Sequence, residues 1–151
     1  MNFCRFRWSA VFVAVWFLSG CNRDPEPVGP ETTDAEIRLA NISGWYVRFA
    51  SQYARPPRDD AEFFAYVRKI PANERVVADE QLADYYTSPR DKQPWQIRYT
   101  VPVDRAGTTA QLPPNAVLIH EQTGQAGKKL VVFGNGFTAL VDDAKLAELI
   151  R

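Results

Sequence analysis

The sequence predicts an α+β fold in which helices come first, a small antiparallel sheet follows and a helix ends the chain. Residues 34–54 carry apolar side chains at helical spacing, whereas residues 96–141 contain short alternating segments separated by turn residues. Helices that precede a run of hairpin-connected strands are typical of α+β domains. We expect these helices to pack on one face of the sheet.

The first helix is predicted to begin after Thr33, because Thr33 and Glu36 have the spacing of a capping box. A stripe of apolar residues at intervals of three and four follows, which is more typical of core packing than of a ligand surface. Proline disfavours helical geometry in the residue before it, so Pro56-Pro57 should end this long helix. The stripe comprises Leu39, Ile42, Tyr46, Phe49 and Tyr53.

Acidic residues mark the starts of two further helices. Asp59-Asp60 precedes an apolar segment that ends at Pro71, and Asp142-Asp143 precedes a C-terminal helix. Adjacent carboxylates in such positions are predicted to cap helices rather than to form a catalytic acid pair. A short helix is expected around Asp79–Tyr85. The second helix should bury Phe63, Phe64, Val67 and Ile70, and the last one Leu146, Leu149 and Ile150.

Four strands are predicted in the second half of the chain. They cover Gln96–Val101, Ala116–Glu121, Lys129–Phe133 and Phe137–Val141. Residues 102–115 contain three prolines and are predicted to form an irregular loop. The turn Gly124–Lys128 should join the second and third strands. Asn135-Gly136, the preferred two-residue hairpin pair, should join the last two strands. The segment Gly134-Asn135-Gly136 is not expected to bind phosphate, because it lacks the glycine spacing of a phosphate loop.

The composition argues against several functional classes. The 151 residues include 18 basic and 18 acidic side chains, so no basic surface for a nucleic-acid partner is expected. His120 is the single histidine, and Cys4 and Cys21 are the two cysteines. A zinc site or a nucleophilic pair is therefore not expected, and no metal or cofactor is predicted. We expect His120 to be a half-buried structural residue.

The first twenty residues have the pattern of a signal peptide, with Arg5 and Arg7 before the apolar run 10–18. That run is too short to cross a bilayer as a permanent helix. It ends in Leu18-Ser19-Gly20-Cys21, which resembles the bacterial lipobox. The resemblance implies cleavage between Gly20 and Cys21 and acylation of Cys21 by palmitate-like chains, which would anchor the chain lastingly. Asn22, in place of the retention residue Asp, favours the outer membrane over the inner one.

The chain is expected to have three parts. Residues 1–20 form the lipoprotein signal peptide, residues 21–33 a proline-rich tether and residues 34–151 one globular domain. The tether contains three prolines and a glycine, which do not form a packed element. After cleavage, 16 basic and 18 acidic residues would remain, a net charge of about −2.

A family resemblance covers residues 34–150. The long first helix, the Pro-Pro break and the segment Thr87–Trp95, which contains Ser88-Pro89-Arg90-Asp91, are similar to the globular part of type II secretion pseudopilins and of small pilin-like proteins of planctomycete-type bacteria. The later motif residues that fit are Glu121, Thr123-Gly124, Gly127-Lys128, Val131 and Phe133. The resemblance implies a pilin-like domain.

Two departures from that family change what the resemblance implies. Asn135-Gly136 stands where the family has Asp-Gly, which keeps the turn and removes any role of the carboxylate. A lipobox stands where pseudopilins have a prepilin cleavage site and a long apolar helix. We therefore expect a pilin-like domain on a lipid anchor rather than a fibre subunit.

These features lead to one main functional hypothesis and two alternatives. The main hypothesis is a non-enzymatic envelope lipoprotein whose domain binds an unknown envelope or secretion component. Arg90, Asp91 and Lys92 would dock that partner, although such a turn is by default simply solvated. One alternative is a small extracytoplasmic hydrolase or carbohydrate-binding enzyme, which needs acids or His120 in a cleft. The other is a structural envelope spacer.

Overall fold

The structure, a computed structural model, describes residues 30–106 and 109–151 of the chain. These residues form four α-helices, a four-stranded antiparallel sheet and a separate two-stranded hairpin. The prediction of an α+β fold is confirmed.

The elements follow one another in the predicted general order. The helices are α1 (Pro30–Tyr53), α2 (Asp60–Lys69), a 3₁₀ turn (Asp79–Gln81) that runs into α3 (Leu82–Tyr85), and α4 (Asp143–Leu149). The strands are β1 (Gln96–Ile97), β2 (Asp104–Ala106), β3 (Thr109–Gln111), β4 (Val117–His120), β5 (Lys129–Phe133) and β6 (Thr138–Val141).

Helix α1 buries the predicted apolar stripe except for Tyr53, which is 44% exposed. Leu39, Ile42 and Tyr46 are fully buried, and Tyr46 donates its hydroxyl to the backbone oxygen of Arg98 at 2.9 Å. The helix begins at Pro30, so Thr33 lies inside it and the predicted cap at Thr33 is wrong. Proline fits the first turn of a helix, where its missing N–H has no intrahelical partner to lose.

The acidic residues before α2 and α4 cap these helices, as predicted. The Asp59 carboxylate accepts a hydrogen bond from the Glu62 amide at 2.8 Å, and the Asp142 carboxylate accepts one from the Lys145 amide at 2.7 Å. The buried face of α2 differs in one position, because Tyr66 is buried and Phe64 only partly so.

The main sheet has the strand order β1-β4-β5-β6, and all its neighbours are antiparallel. Strand β5 has the predicted bounds, whereas β1 is much shorter than the predicted strand Gln96–Val101. A bulge lies between Val117 and Ile119 on β4. It interrupts strict alternation, and three successive residues, Val117 to Ile119, are completely buried.

Helices cover both faces of this sheet, so the expectation of helices on one face is wrong. Leu130 and Val132 of β5 belong to the large core with α1 and α2. Val131, between them, points the other way and packs with Val117 and with Leu146 of α4. The C-terminal helix therefore closes a second, smaller core on the opposite face.

The segment 102–115 is also more ordered than predicted. Strands β2 and β3 pair antiparallel within it, with Asp104 opposite Gln111 and Ala106 opposite Thr109. The irregular-loop prediction is therefore wrong for these six residues. Strands of three residues are too short to show an alternating pattern, and the prolines on either side conceal them.

The two hairpins of the sheet use different turns. Between β4 and β5, Gln125 and Lys128 exchange backbone hydrogen bonds across Ala126 and Gly127, both of which have positive φ. This is the geometry of a type I′ turn. Between β5 and β6, the Phe133 amide donates to the Phe137 oxygen, so three residues form the loop rather than the predicted two.

Replacing Gly124 by alanine should destabilise the protein far more than the same change at Gly127. Both glycines have φ +73°, so the backbone cost is equal, about 1 kcal/mol. A Cβ at Gly124 would lie 2.3 Å from the Lys128 carbonyl oxygen, whereas none of the described atoms lies within 4 Å at Gly127. Urea unfolding should show that Gly124→Ala lowers the free energy of unfolding by about 2 kcal/mol more than Gly127→Ala does. Equal losses would contradict the close approach.

Candidate functional site

The residues predicted for cleavage and lipidation, Gly20 and Cys21, lie outside the described part of the chain. Their roles stay predictions. Among the residues that the structure does describe, no helix combines the length and the apolar character needed to cross a membrane.

The predicted docking turn is part of a closed loop between α3 and β1. Thr87 and Pro94 form an isolated antiparallel bridge at its base. The Ser88 amide donates to the Gln93 oxygen at 2.9 Å, and the Lys92 amide donates to the Ser88 oxygen at 3.0 Å. We call residues 87–94 the clamp loop, because its side chains reach the β4–β5 hairpin.

The inner side of the clamp loop forms a buried polar cluster with Glu121. One carboxylate oxygen of Glu121 accepts the Ser88 hydroxyl at 2.8 Å, and the other accepts the Leu130 amide at 2.8 Å. The Arg90 Nε lies 3.3 Å from Glu121 Oε1, at ion-pair distance but without hydrogen-bond geometry. The side chains of Arg90 and Glu121 are 3% and 0% exposed. The interpretation of this turn as solvated is therefore wrong for Arg90.

Two opposing effects set the charge state of Glu121. Burial raises its pKa above the usual value, while the Leu130 amide, the Ser88 hydroxyl and the Arg90 guanidinium act to lower it. The effect of burial is larger than the others together, so the pKa of Glu121 lies above its usual value. The positive charge of Arg90 is what makes an ionised carboxylate tolerable at this depth.

The outer side of the clamp loop is fixed by Asp91. One of its carboxylate oxygens accepts the backbone amides of Thr123 and Gly124, each at 2.9 Å, and the Thr123 hydroxyl at 3.1 Å. The other oxygen accepts the Gln93 amide at 3.1 Å. Partial burial would raise the pKa of Asp91, but these hydrogen bonds outweigh it and hold the pKa below its usual value.

Only one of the three predicted docking residues presents its charge to solvent. Arg90 is buried, and the Asp91 carboxylate is occupied by the β4–β5 hairpin. Lys92 is exposed, and its Nζ donates a hydrogen bond to the backbone oxygen of Pro89 in the same loop. Its φ of +57° is a conformation that residues other than glycine rarely adopt. The docking role of this turn stays a prediction, and in this geometry Lys92 would be its contact residue.

His120 is half-buried, as expected. Its Nδ1 lies 2.8 Å from the Glu121 backbone oxygen, which requires Nδ1 to carry the proton. Burial lowers the pKa of His120. The hydrogen bond to the Glu121 backbone oxygen acts to raise this pKa, whereas the positive charges of Lys129 and Arg98 lower it further. The ring is therefore neutral at pH 7.

Among the surface depressions of the described residues, two lie away from His120. The larger, about 400 Å³, lies between α1 and residues 111–114 and 134–135. The smaller, about 150 Å³, lies where α1 and α2 end. Neither is lined by an acidic side chain or by the histidine. Within the described ranges, no three His, Cys, Asp or Glu side chains are grouped so that they could hold a metal ion.

Comparison with known proteins gave no match. No protein-family model, no curated protein and no solved structure matches the chain. Any functional assignment therefore depends on the sequence patterns and on the geometry described above.

Sequence reasoning missed the buried cluster of Ser88, Arg90 and Glu121. Glu121 directly follows three apolar strand residues and His120, and such a position is usually half-buried. A buried carboxylate needs a cationic or hydrogen-bonding partner. That partner lies 31 residues earlier in the chain, and spacing alone does not identify it.

Removing the charge of Arg90 should strongly destabilise the domain at pH 7. Arg90→Met leaves the Glu121 carboxylate buried without a counter-ion, a change that typically costs about 3 kcal/mol. Lys145→Met is the matched control, because the Lys145–Glu148 pair is half or more exposed and its loss should cost less than about 0.5 kcal/mol. Adding Arg90→Met to Glu121→Gln should cost less than the sum of the single changes. Additive losses in denaturant unfolding would contradict the coupling.

Asp91→Asn should change how stability depends on pH. The pKa of Asp91 is lowered in the folded state, so its contribution is present above the unfolded value of about 3.9 and is lost as the pH falls through the folded pKa. The variant should be about 1 kcal/mol less stable at pH 7 and lose this difference towards pH 2. Thermal unfolding at several pH values measures it, and a constant difference would disprove the assignment.

Proposed function

We propose that this chain is an exported lipoprotein, held on a bacterial membrane through acyl chains on Cys21, whose domain serves as a non-enzymatic binding module. The segment Leu18-Ser19-Gly20-Cys21 carries the proposal, because it stands directly after the charged and apolar parts of a signal peptide. Two or three acyl chains give lasting attachment, since each buried CH₂ contributes about 0.8 kcal/mol. Asn22 favours the outer membrane.

We further propose that the domain of residues 34–151 is pilin-like. The long helix α1, packed against an antiparallel sheet, supports this, as does the agreement of the segment from Thr87 to Trp95 with the pseudopilin-like motif. With a lipobox in place of a polymerising apolar helix, such a domain would act singly at a membrane surface. Its partner would be an envelope or secretion component.

The clamp loop is suited to contact that partner through Lys92. Its backbone is fixed by internal hydrogen bonds, and Asp91 ties it to the β4–β5 hairpin. A rigid loop loses little conformational entropy when it binds. Lys92 would supply positive charge at a defined position, which favours an acidic surface on the partner.

Intact mass spectrometry of the membrane-extracted protein tests the anchor. The wild type should have the mass of residues 21–151 plus acyl chains, and a Cys21→Ser variant should lack that modification. Cleavage is expected to depend on acylation of Cys21, so the variant should also keep its first twenty residues. A soluble, unmodified wild-type product would contradict the anchor. An uncleaved wild-type chain would contradict both the anchor and the signal peptide.

Affinity capture from native membranes after chemical cross-linking tests the binding role. The same partner should be recovered repeatedly with the wild type, and Lys92→Glu should reduce its yield about tenfold, since reversing one contact charge costs about 1.4 kcal/mol. Lys145→Glu on α4 is the matched control and should leave the yield unchanged. Repeated recovery of the protein alone would contradict a binding module. Equal yields from the two variants would remove Lys92 from the interface.

A further inference from the structure

Strand β6 forms an unprotected edge of the main sheet. It pairs with β5 on one side, and no described strand pairs with it on the other. Its residues Thr138–Val141 include no charged side chain and no proline, the features that usually protect an exposed edge. The opposite edge differs, because β1 has two residues only and lies between Pro94 and Arg98. Of the two edges of the sheet, the β6 edge is the one that is open to a further strand.

The register fixes which backbone groups of β6 face outward. The Phe133 amide donates to the Phe137 oxygen across the β5–β6 pair. Because backbone groups alternate in direction along a strand, the odd-numbered residues of β6 direct theirs towards β5. Thr138 and Leu140 direct theirs away from the sheet, where no described residue bonds to them. The edge therefore offers the N–H and C=O groups of these two residues, at the spacing that an extended backbone matches.

The smaller core, on the face of the sheet that α4 covers, is incomplete at this edge. Phe137 is 64% exposed there, and on the other face Leu140 is 43% exposed. A strand added to β6 would place alternate side chains beside Ala139, and apolar side chains in these positions would extend the smaller core. The apolar residues that are only partly buried around this core are Phe133, Ala139, Val141, Leu149 and Ile150.

A second copy of this chain fits the edge poorly in the proposed lipoprotein. Helix α1 runs from the clamp loop, where Arg38 contacts Thr87, to the β5–β6 loop, where Ser51 and Asn135 line the larger depression. Antiparallel pairing of β6 with the β6 of a second copy would reverse the direction of α1, which is about 36 Å long. The two α1 starts would then lie at opposite ends, whereas residues 22–29, the link from the lipidated cysteine to α1, span at most about 29 Å. A segment of another protein meets no such constraint.

We infer that the outer edge of β6 receives an extended, uncharged segment of the protein partner, which adds a fifth strand to the sheet. The backbone of this segment would pair with Thr138 and Leu140, and its apolar side chains would cover Ala139 and Phe137. The inference rests on the proposed binding function and adds a second contact to that of Lys92. In strand addition of this kind, backbone hydrogen bonds supply affinity and the alternate side chains supply specificity.

Binding of a short peptide tests the chemistry of the edge. The probe is a blocked, fluorescent hexapeptide of alternating valine and threonine, and its matched counterpart carries a methyl group on every backbone nitrogen. Methylation removes the backbone donors and leaves the side chains unchanged, so it separates backbone pairing from apolar adhesion. In fluorescence anisotropy on the protein in the form that the cell produces, the unmethylated peptide should bind about tenfold more tightly. Equal affinities, or no binding of either peptide at millimolar protein, would overturn the inference.

Leu140→Pro tests the edge without removing a hydrogen bond between β5 and β6. The Leu140 N–H points outward, so proline removes a donor of the edge and places its ring where the added strand would lie. We expect Leu140→Pro to weaken binding of the unmethylated peptide about tenfold, and Leu140→Ala, which keeps the donor, to weaken it about threefold. Urea unfolding checks that both variants are folded. Equal effects of the two variants on binding would overturn the inference.

Leu140→Lys keeps the inference testable if the proline variant does not fold. The Leu140 side chain is 43% exposed, so a lysine side chain can extend into solvent, and lysine on an edge strand opposes pairing with another strand. Leu140→Lys should weaken the peptide about fivefold. Ala147→Lys, on the exposed side of α4, is the matched control and should leave binding unchanged. No effect of Leu140→Lys, or an equal effect of Ala147→Lys, would contradict the site.

Sedimentation of the wild type decides between a partner and a second copy. The protein should remain monomeric in detergent at concentrations up to those of the peptide experiment. A concentration-dependent dimer that Leu140→Pro or Leu140→Lys abolishes would mean that a second copy occupies the edge, and the inference would be wrong.

Capture from native membranes separates this inference from the proposed function. If the wild type recovers a partner and Leu140→Lys recovers much less of it, the inference is supported. If both recover it equally, the β6 edge is not the contact and the inference fails, while the binding function stands. If the wild type recovers no partner, the proposed function fails and the inference fails with it, whatever the peptide does.

Discussion

The buried carboxylate of Glu121 is the constraint on which the second half of the molecule depends. One side chain joins the clamp loop, through Ser88, to the start of β5, through Leu130. An ionised group at this depth is tolerated only with hydrogen bonds and a counter-charge around it, so Arg90 must be carried to the same place. The clamp loop therefore has to close over the β4–β5 hairpin. Strand β1, which follows the clamp loop in the chain, pairs with β4 at the edge of the sheet.

Two acidic residues, Glu121 and Asp91, fix the clamp loop to the β4–β5 hairpin from its inner and outer sides. Glu121 satisfies the inner side with buried charge, whereas Asp91 satisfies exposed backbone amides of the hairpin from outside. Burial raises the pKa of Glu121, and hydrogen bonding lowers that of Asp91. The contribution of Glu121 to stability is lost as the pH rises through its folded pKa. The contribution of Asp91 is gained as the pH rises through its own folded pKa, which lies below the usual value. The loop is therefore held over a broad pH range by contacts of opposite pH dependence.

Elements with a local physical signal were predicted from the sequence, and elements that depend on distant contacts were not. The caps at Asp59 and Asp142 and the bounds of β5 follow from nearby residues. The start of α1 was misplaced because the Thr33 capping box is a local pattern that the longer helix overrides. The position of α4 depends on which face Val131 presents, and the burial of Arg90 depends on a partner in another strand. Spacing along the chain predicts neither the position of α4 nor the burial of Arg90.

The same geometry limits what the family resemblance can say about function. The motif residues that carry it are largely those of the clamp: Ser88, Arg90, Asp91, Glu121, Thr123-Gly124 and Lys128. These residues contact one another, and Gly124 is required because the Lys128 carbonyl lies where its Cβ would be. A motif made of internal contacts specifies how a domain closes and leaves open what it binds. In the proposed function, binding then depends on groups that these internal contacts leave exposed, such as the Lys92 side chain, and on the Cys21 segment. In that proposal the membrane anchor sets where the domain acts, and the charge of Lys92 favours the surface that it meets.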